Sequence, residues 1–149
     1  MRMLIPLALA VMVALLSGCD VLEKGHSYLE GVVGLRGGTL HGPYGTELTI
    51  PAGAVDGSCT ITMIFADQAP EPGPKGDSAS ITVFIDMDPC VMLKKPATLV
   101  MVADRDCSNC IGVRTSDPAY PWGVLPTRWN ENGLVLVEVV DRGYYTVVE

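Results

Sequence analysis

The sequence is poor in histidine, in aromatic residues and in clustered positive charge. Two of its 149 residues are histidine, 6% are aromatic, and 17 acidic residues stand against 10 basic ones. Because the basic residues form no cluster, the chain would repel phosphate backbones, and we predict no nucleic-acid partner. The same acidity argues against adhesion to an anionic lipid surface by charge alone.

The first apolar run is too short for a membrane-spanning helix, which needs about 20 such residues. The run covers residues 4–16, follows the basic Arg2, and gives way to the small residues Ser17 and Gly18. That length and those flanks are typical of a signal peptide. We therefore predict that residues 1–18 form a signal helix that is cleaved on export.

The end of this run, Leu16-Ser17-Gly18-Cys19, resembles the lipobox of bacterial lipoproteins. The resemblance implies that the thiol of Cys19 takes a diacylglycerol in thioether linkage and that the signal peptidase cuts between Gly18 and Cys19. Two or three acyl chains hold a protein durably, because each buried methylene contributes about 0.8 kcal/mol. The competing interpretation is a core helix that ends on a buried cysteine.

A lipidated Cys19 would place the protein in the bacterial cell envelope as a lipid-anchored (acylated, palmitate-bearing) membrane protein. Asp20 follows the cysteine directly and resembles the inner-membrane retention signal of enteric bacteria. That signal is not general across bacteria, so the choice between inner and outer membrane stays open at this point.

Beyond the signal, the sequence predicts a tether over residues 19–30 and one all-β domain over residues 31–149. The tether mixes charge, glycine and serine. The domain has short apolar and β-branched runs between Gly, Pro and Asp residues, and no helical apolar stripe of three turns. We predict an antiparallel β-sandwich, with strands near residues 31–35, 46–50, 58–65, 79–86, 97–103, 122–128, 133–140 and 144–148.

Two of these runs carry a recognisable burial pattern. In the first, Ile61, Met63 and Phe65 share one face and threonines occupy much of the other, as a half-buried antiparallel strand requires. Residues 134–140 are almost uniformly apolar, which predicts a central strand covered on both faces. Residues 71–77, rich in proline and glycine, are predicted to be a loop.

Three stretches of the domain resemble a known family. They are Gly37-Gly38-Thr39-Leu40 followed by residues 45–55 (GTELTIPAGAV), residues 81–89 followed by Lys95-Pro96-Ala97-Thr98-Leu99, and residues 135–148 with Tyr144 and Tyr145. Together they are similar to the ZU-five domain shared by zonula occludens proteins, netrin receptors of the Unc type and ankyrins. The resemblance covers about residues 32–148 and implies a β-sandwich that binds proteins rather than catalysing reactions.

The residues of these stretches suit strands and turns by themselves. Leu48 and Ile50 alternate towards one face, Gly53 permits the positive φ of a sharp turn, and Pro96 can begin the next strand. One segment departs from the family pattern. Residues 141–143 read Asp-Arg-Gly where self-cleaving members have His-Phe-Ser, so self-cleavage is not carried over.

Four cysteines follow the lipobox. An exported chain meets an oxidising compartment, so we predict the disulfides Cys59–Cys90 and Cys107–Cys110. The first pair flanks neighbouring predicted strands, and closing its loop would contribute about 3 to 4 kcal/mol in the chain-entropy model. The second pair spans a short flexible turn.

Other states of these cysteines stay open. Cys107-Ser108-Asn109-Cys110 has the spacing of a redox centre, although no helix follows it and acidic neighbours oppose the one nearby cation, Arg105. A zinc site would use all four thiolates, but only one close pair is present. The thiols could also remain reduced. A redox or metal-handling envelope protein centred on Cys107 and Cys110 is therefore the alternative function.

Two pairs of carboxylates lie near predicted strand ends. Asp86-x-Asp88 and Asp104-x-Asp106 supply the oxygen ligands that calcium prefers, but EF-hand spacing is absent. A solvated acidic rim is the favoured interpretation, and we predict no bound metal and no cofactor.

The candidates for catalysis are equally unspecific. His26 lies in the predicted tether and His41 in the loop before Pro43, and both are expected to be exposed. Ser58 and Ser80 are the serines considered as triad partners, but a triad assembles in space and no spacing argues for one. We predict no catalytic residue and a chain that is not an enzyme.

The aromatic residues cluster late in the chain. Trp122 and Trp129 bracket Leu125-Pro126, and Tyr120, Tyr144 and Tyr145 add further rings. We expect them to pack under the sandwich, with an exposed binding patch as the alternative. The function predicted from the sequence is that of a lipid-anchored envelope protein with a non-catalytic binding or scaffolding domain, whose envelope partner and oligomeric state are undetermined.

Overall fold

The structure, a computed structural model, describes residues 26–103, 109–129 and 132–149. Within these residues there are eleven strands and a 3₁₀ turn at Pro43–Gly45. The strands are β1 His26–Gly34, β2 Gly38–His41, β3 Glu47–Ile50, β4 Ser58–Ala66, β5 Thr82–Asp88, β6 Met92–Val102, β7 Ile111–Thr115, β8 Gly123–Val124, β9 Thr127–Trp129, β10 Leu134–Asp141 and β11 Gly143–Val148. The all-β prediction is confirmed.

The described strands form two antiparallel sheets that pack as a β-sandwich, as predicted. The larger sheet has the order β1-β4-β5-β11-β7-β8, and the smaller sheet has the order β2-β3-β6-β10-β9. Among the described residues, no helix is long and apolar enough to cross a membrane. The predicted signal peptide, its cleavage site and Cys19 lie outside the described residues.

The core forms where the inward faces of the two sheets meet. In β4 every second residue is buried, and Ile61, Met63 and Phe65 point inward as their alternation predicts. The smaller sheet contributes Leu99 and Met101 from β6, together with valines of β10. Each fully buried side chain of this size contributes roughly 1.5 to 3 kcal/mol, so this interface is the main source of stability.

The first strand begins earlier than the sequence predicted. Residues 26–30, assigned to the tether, belong to β1, where His26 pairs with Ala66 of β4 and Glu30 pairs with Thr62. Leu29 packs against the core while Tyr28 is exposed. Such alternation is typical of a strand at the edge of a sheet. It was not recognised in the sequence, because its outward residues are charged or polar and give no apolar run.

Several other boundaries differ from the prediction. Strands β2 and β7 were not predicted, β5 begins at Thr82 instead of residue 79, and the strand predicted near 122–128 is two strands, β8 and β9, separated by Leu125-Pro126. Proline has no N–H for a ladder, which accounts for the interruption. Short strands such as β2 and β8 contain too few residues for a period to be recognised.

Strand β6 was predicted to begin at Pro96, but it begins at Met92 and runs through the proline. The pairing with β10 changes register between Val139, opposite Ala97, and Asp141, opposite Met92. Such an irregularity is a place where a strand tolerates a residue that cannot donate to the ladder.

Strand β10 was predicted to be covered on both faces, and this is wrong. Val135, Val137 and Val139 are buried, whereas Glu138 is exposed and Leu136 is only partly buried. The strand lies between β6 and the short β9, and one of its faces is turned away from the core. An apolar run with one exposed face was mistaken for a fully buried strand.

The turn between β10 and β11 is fixed by the buried Tyr145. Its side chain is 0% exposed, and its hydroxyl donates a hydrogen bond to the backbone oxygen of Asp141 at 2.8 Å. The guanidinium of Arg114 lies 5.8 Å from the ring centroid and forms an ion pair with the Asp141 carboxylate at 2.7 Å. Burial raises the pKa of Tyr145 to about 12.

Candidate functional site

The outer face of the larger sheet carries the candidate site. Val83, Ile85, Tyr145 and Val147 belong to the core, so the alternate residues of β5 and β11 face away from it. Phe84 and Tyr144 are two of these outward residues, and their rings lie 4.6 Å apart between centroids. Loops that follow β4 and β7 lie over parts of this face and leave two grooves open.

The first groove, which we name the Phe84 groove, has a volume of about 340 Å³. Strands β4, β5 and β11 form its floor, and the loop after β4 forms a wall, with the lining residues Ile64, Ala66, Gln68, Pro70, Thr82, Phe84 and Tyr144. Ligand sites are usually concave, mostly apolar and about 300 to 1,000 Å³ in volume. The Phe84 groove has this character.

One polar atom in the Phe84 groove lacks a partner. Thr82 is 2% exposed, and its Oγ1 makes no hydrogen bond within the described part of the chain. A buried hydroxyl without a partner costs about 1 to 3 kcal/mol. Thr82 therefore brings an unused hydrogen-bond donor and acceptor to the lining of the groove.

The second groove, which we name the Trp122 groove, is larger, at about 790 Å³. Ile111 and Val113 of β7 contribute to its floor, and Tyr120, Trp122 and the loop residues 72–75 contribute to its walls. Tyr120 is 65% exposed. The indole Nε1 of Trp122 is buried and has no acceptor among the described residues. This groove presents an exposed ring beside an unused hydrogen-bond donor.

A short turn holds the aromatic wall of the Trp122 groove in place. Asp117 accepts a hydrogen bond at 2.9 Å from the backbone N–H of Ala119 through its carboxylate, and its backbone oxygen accepts one from the N–H of Tyr120 at 2.9 Å. The hydroxyl of Thr115 donates to the same backbone oxygen at 2.7 Å. The aromatic residues are thus presented by an ordered turn.

The aromatic residues predicted to pack together are in fact distributed over the molecule. Tyr145 is buried in the core, Tyr144 lines the Phe84 groove, and Tyr120 and Trp122 line the Trp122 groove. Trp129, on β9 of the smaller sheet, is 55% exposed. Packing under the sandwich is therefore correct for Tyr145 alone, whereas Tyr120, Trp122 and Tyr144 line grooves on the larger sheet.

Cys59 and Cys90 are two free thiols in the structure, and the disulfide between them stays a prediction. The prediction that the two residues meet is correct, since their side chains interact directly. Burial raises the pKa of Cys59 to about 11, and its contact with Cys90 adds to the effect. The buried, protonated Cys59 is a poor nucleophile, which is consistent with an unoxidised pair.

The other cysteine pair is only partly described. Cys110 is buried and disulfide-bonded, so its sulfur is not available as a metal ligand. Cys107, predicted as its partner, lies outside the described residues. Over residues 26–103, 109–129 and 132–149, no three His, Cys, Asp or Glu side chains gather closely enough to hold a metal ion.

The predicted polar candidates that the structure describes do not form a common site. Asp86 lies on β5 and faces Arg142 at 3.8 Å, while Asp88 ends the strand and is exposed. Asp104 and Asp106 lie outside the described residues. Both side chains of the Asp86–Arg142 ion pair are exposed to solvent, so the pair contributes little to stability.

The histidines and serines are also engaged separately. His26 is the first residue of β1, and His41 ends β2, where its Nδ1 lies 3.2 Å from the Glu47 carboxylate. Ser80 is buried, donates to the backbone oxygen of Ile81 and accepts from the N–H of Val147, whereas Ser58 begins β4 and is exposed. His41 and Ser80 therefore have different partners.

Sequence reasoning missed Thr82, Ile64 and Phe84 as site residues. Their signal was available in the alternation of β4 and β5, which places Ile64 and Phe84 opposite the buried residues. The alternation does not predict the wall of the groove, because contacts remote in sequence set the path of the loop after β4.

No protein-family model matches the chain, and no curated protein is significantly similar to it.

Proposed function

We propose that the protein is a lipid-anchored component of a bacterial cell envelope whose β-sandwich binds another envelope protein without catalysing a reaction. The lipobox-like residues 16–19 support the anchor. The open face of the larger sheet supports binding. The ZU-five resemblance, carried by motifs such as Gly37-Gly38, favours the same kind of function.

The observation that carries the binding proposal is the Trp122 groove. An extended partner segment would contact the exposed ring of Tyr120 and pack against the indole of Trp122. Grooves lined by aromatic residues commonly receive extended, proline-rich segments in this way. Tryptophan and tyrosine are also enriched among the residues that dominate binding energy.

The first test compares two tryptophans that occupy different surfaces. A photo-crosslinking residue at Val124, an exposed position of the Trp122 groove, is expected to capture one partner repeatedly in native membranes. Trp122→Ala should reduce capture of that partner at least fivefold, since an anchor residue typically contributes more than about 1 kcal/mol. Trp129→Ala, on the smaller sheet, should leave capture unchanged. Recovery of the free monomer alone, or equal loss in both variants, would reject the binding proposal.

The anchor is tested at Cys19. Cys19→Ala removes the thiol that accepts the lipid, so the variant should leave the detergent phase in a two-phase partition and accumulate as uncut precursor. Cys90→Ser serves as the control, because it removes a different thiol and should keep normal partition. Membrane retention of processed Cys19→Ala protein would contradict lipidation at this residue.

A further inference from the structure

We propose that the Phe84 groove and the side chains beside it bind an oligosaccharide. This site is distinct from the Trp122 groove, and its argument does not rest on the protein partner proposed above.

A row of apolar and aromatic side chains crosses the outer face of the larger sheet. Tyr28 of β1 is paired with Ile64 of β4, Ile64 with Phe84 of β5, and Phe84 with Tyr144 of β11. Neighbouring strands lie about 4.8 Å apart, so the row is about 14 Å long. Tyr28, at one end, is 62% exposed. The row thus offers an apolar platform long enough for a short run of sugar rings.

Polar side chains lie on both sides of this platform. On one side Glu30, Thr62 and Asp86 follow in register across β1, β4 and β5. The hydroxyl of Tyr28 donates to one oxygen of Glu30, which leaves the other oxygen to accept. On the opposite side of Phe84, two residues along β5, stands Thr82.

The hydroxyl of Thr82 is the most specific element of the site. It is buried at the floor of the groove and has no hydrogen-bond partner among the described residues. Buried polar groups in folded proteins nearly always have a partner, and an unpaired one calls for an explanation. A ligand hydroxyl that enters the groove over Phe84 would supply that partner once the Thr82 side chain turns its hydroxyl towards the groove.

The arrangement selects carbohydrate over other ligands. A pyranose ring has an apolar face of C–H groups and a rim of hydroxyls. The platform would pack against the apolar face, while Thr82, Glu30 and Asp86 would form hydrogen bonds with the hydroxyls. An acyl chain or an apolar side chain would leave the two polar sides unmatched. A cationic peptide would match the carboxylates, but the guanidinium of Arg142 already lies 3.8 Å from the Asp86 carboxylate.

The test uses the full chain in nanodiscs, titrated calorimetrically with cellotetraose and with tetra-N-acetylchitotetraose. Saturable binding of at least one of them is expected. Thr82→Val keeps the shape and removes the hydroxyl, and it should weaken binding about tenfold, the value of one hydrogen bond. Its thermal midpoint should stay equal or rise, because no bond is lost in the free protein. Phe84→Leu keeps apolar volume without an aromatic face and should weaken binding at least tenfold.

Thr49→Val is the matched control, since Thr49 lies on β3 of the smaller sheet, and its affinity should equal that of the unmodified chain. Absence of saturable binding with both saccharides would overturn the proposal, as would an unchanged affinity in Thr82→Val and Phe84→Leu. Trp122→Ala separates this site from the protein-binding proposal, because it should reduce partner capture at least fivefold and leave saccharide affinity intact. A chain that binds saccharides but captures no partner would refute only the protein-binding proposal.

Discussion

Gly37→Ala is expected to lower the free energy of unfolding by roughly 3 to 5 kcal/mol, near the upper end for a single substitution. Gly37 has φ +72°, and a Cβ there would lie 2.2 Å from the backbone oxygen of Ile50 and 2.7 Å from the carbonyl carbon of Pro51. The left-handed conformation alone costs an L-residue roughly 1 to 2 kcal/mol. Backbone atoms cannot rotate away as a flexible side chain can, so the steric overlap adds to this cost.

The neighbouring Gly38 is the matched control. No heavy atom lies within 4 Å of a Cβ built at Gly38, and its φ is not in the left-handed region. Gly38→Ala should therefore change stability by less than about 1 kcal/mol, in either direction. Urea unfolding of both variants, followed by circular dichroism, measures the difference. Equal effects at the two positions would contradict the contact between the β1–β2 turn and the end of β3.

Tyr145→Ala is expected to cost about 3 to 5 kcal/mol, since it empties the site of a fully buried ring. Tyr145→Phe retains the ring and loses only the hydrogen bond to the backbone oxygen of Asp141, so about 1 kcal/mol is expected. Thermal unfolding near neutral pH compares the two. A Tyr145→Phe variant as unstable as Tyr145→Ala would show that packing of the ring is not the main contribution.

The pH dependence of stability gives Tyr145 an independent signature. Burial raises its pKa from 10.0 to about 12, so the folded state binds the proton more tightly than the unfolded state. The resulting stability is present below pH 10 and is lost as the pH rises towards 12. Cys59, with its pKa raised from 9.0 to about 11, adds a loss in the same direction from pH 9. Tyr145→Phe should therefore show a shallower alkaline decline, while an unchanged decline would contradict the assignment to the tyrosine.

The sequence predicted the fold where burial alternates over a long strand. Ile61, Met63 and Phe65 made β4 recognisable, because each inward residue is apolar and its neighbours are mostly threonine. Strand β1 was recognised only from residue 31 onwards, since Tyr28 and Glu30 are exposed at a sheet edge and give no apolar run. Length and exposure thus decided which strands could be seen.

The candidate site was less accessible from the sequence than the fold. Local alternation is enough to place Phe84 on an outer face, but the groove also needs Gln68 and Pro70 from a loop that has no period. The unpaired hydroxyl of Thr82 is likewise invisible, because whether a threonine finds a partner depends on residues far along the chain. Cys59 and Cys90 show the converse, because their proximity could be predicted from the neighbouring strands that they flank.

The early start of β1 has a consequence for height above the bilayer. Seven residue steps separate Cys19 from His26, the first described residue of the strand, and a fully extended chain advances at most about 3.6 Å per step. A domain anchored at Cys19 would therefore begin within about 25 Å of its lipid. At that distance from the bilayer the protein would reach only ligands and partners at the membrane surface. A longer spacer between Cys19 and His26 should extend the distance that it can reach.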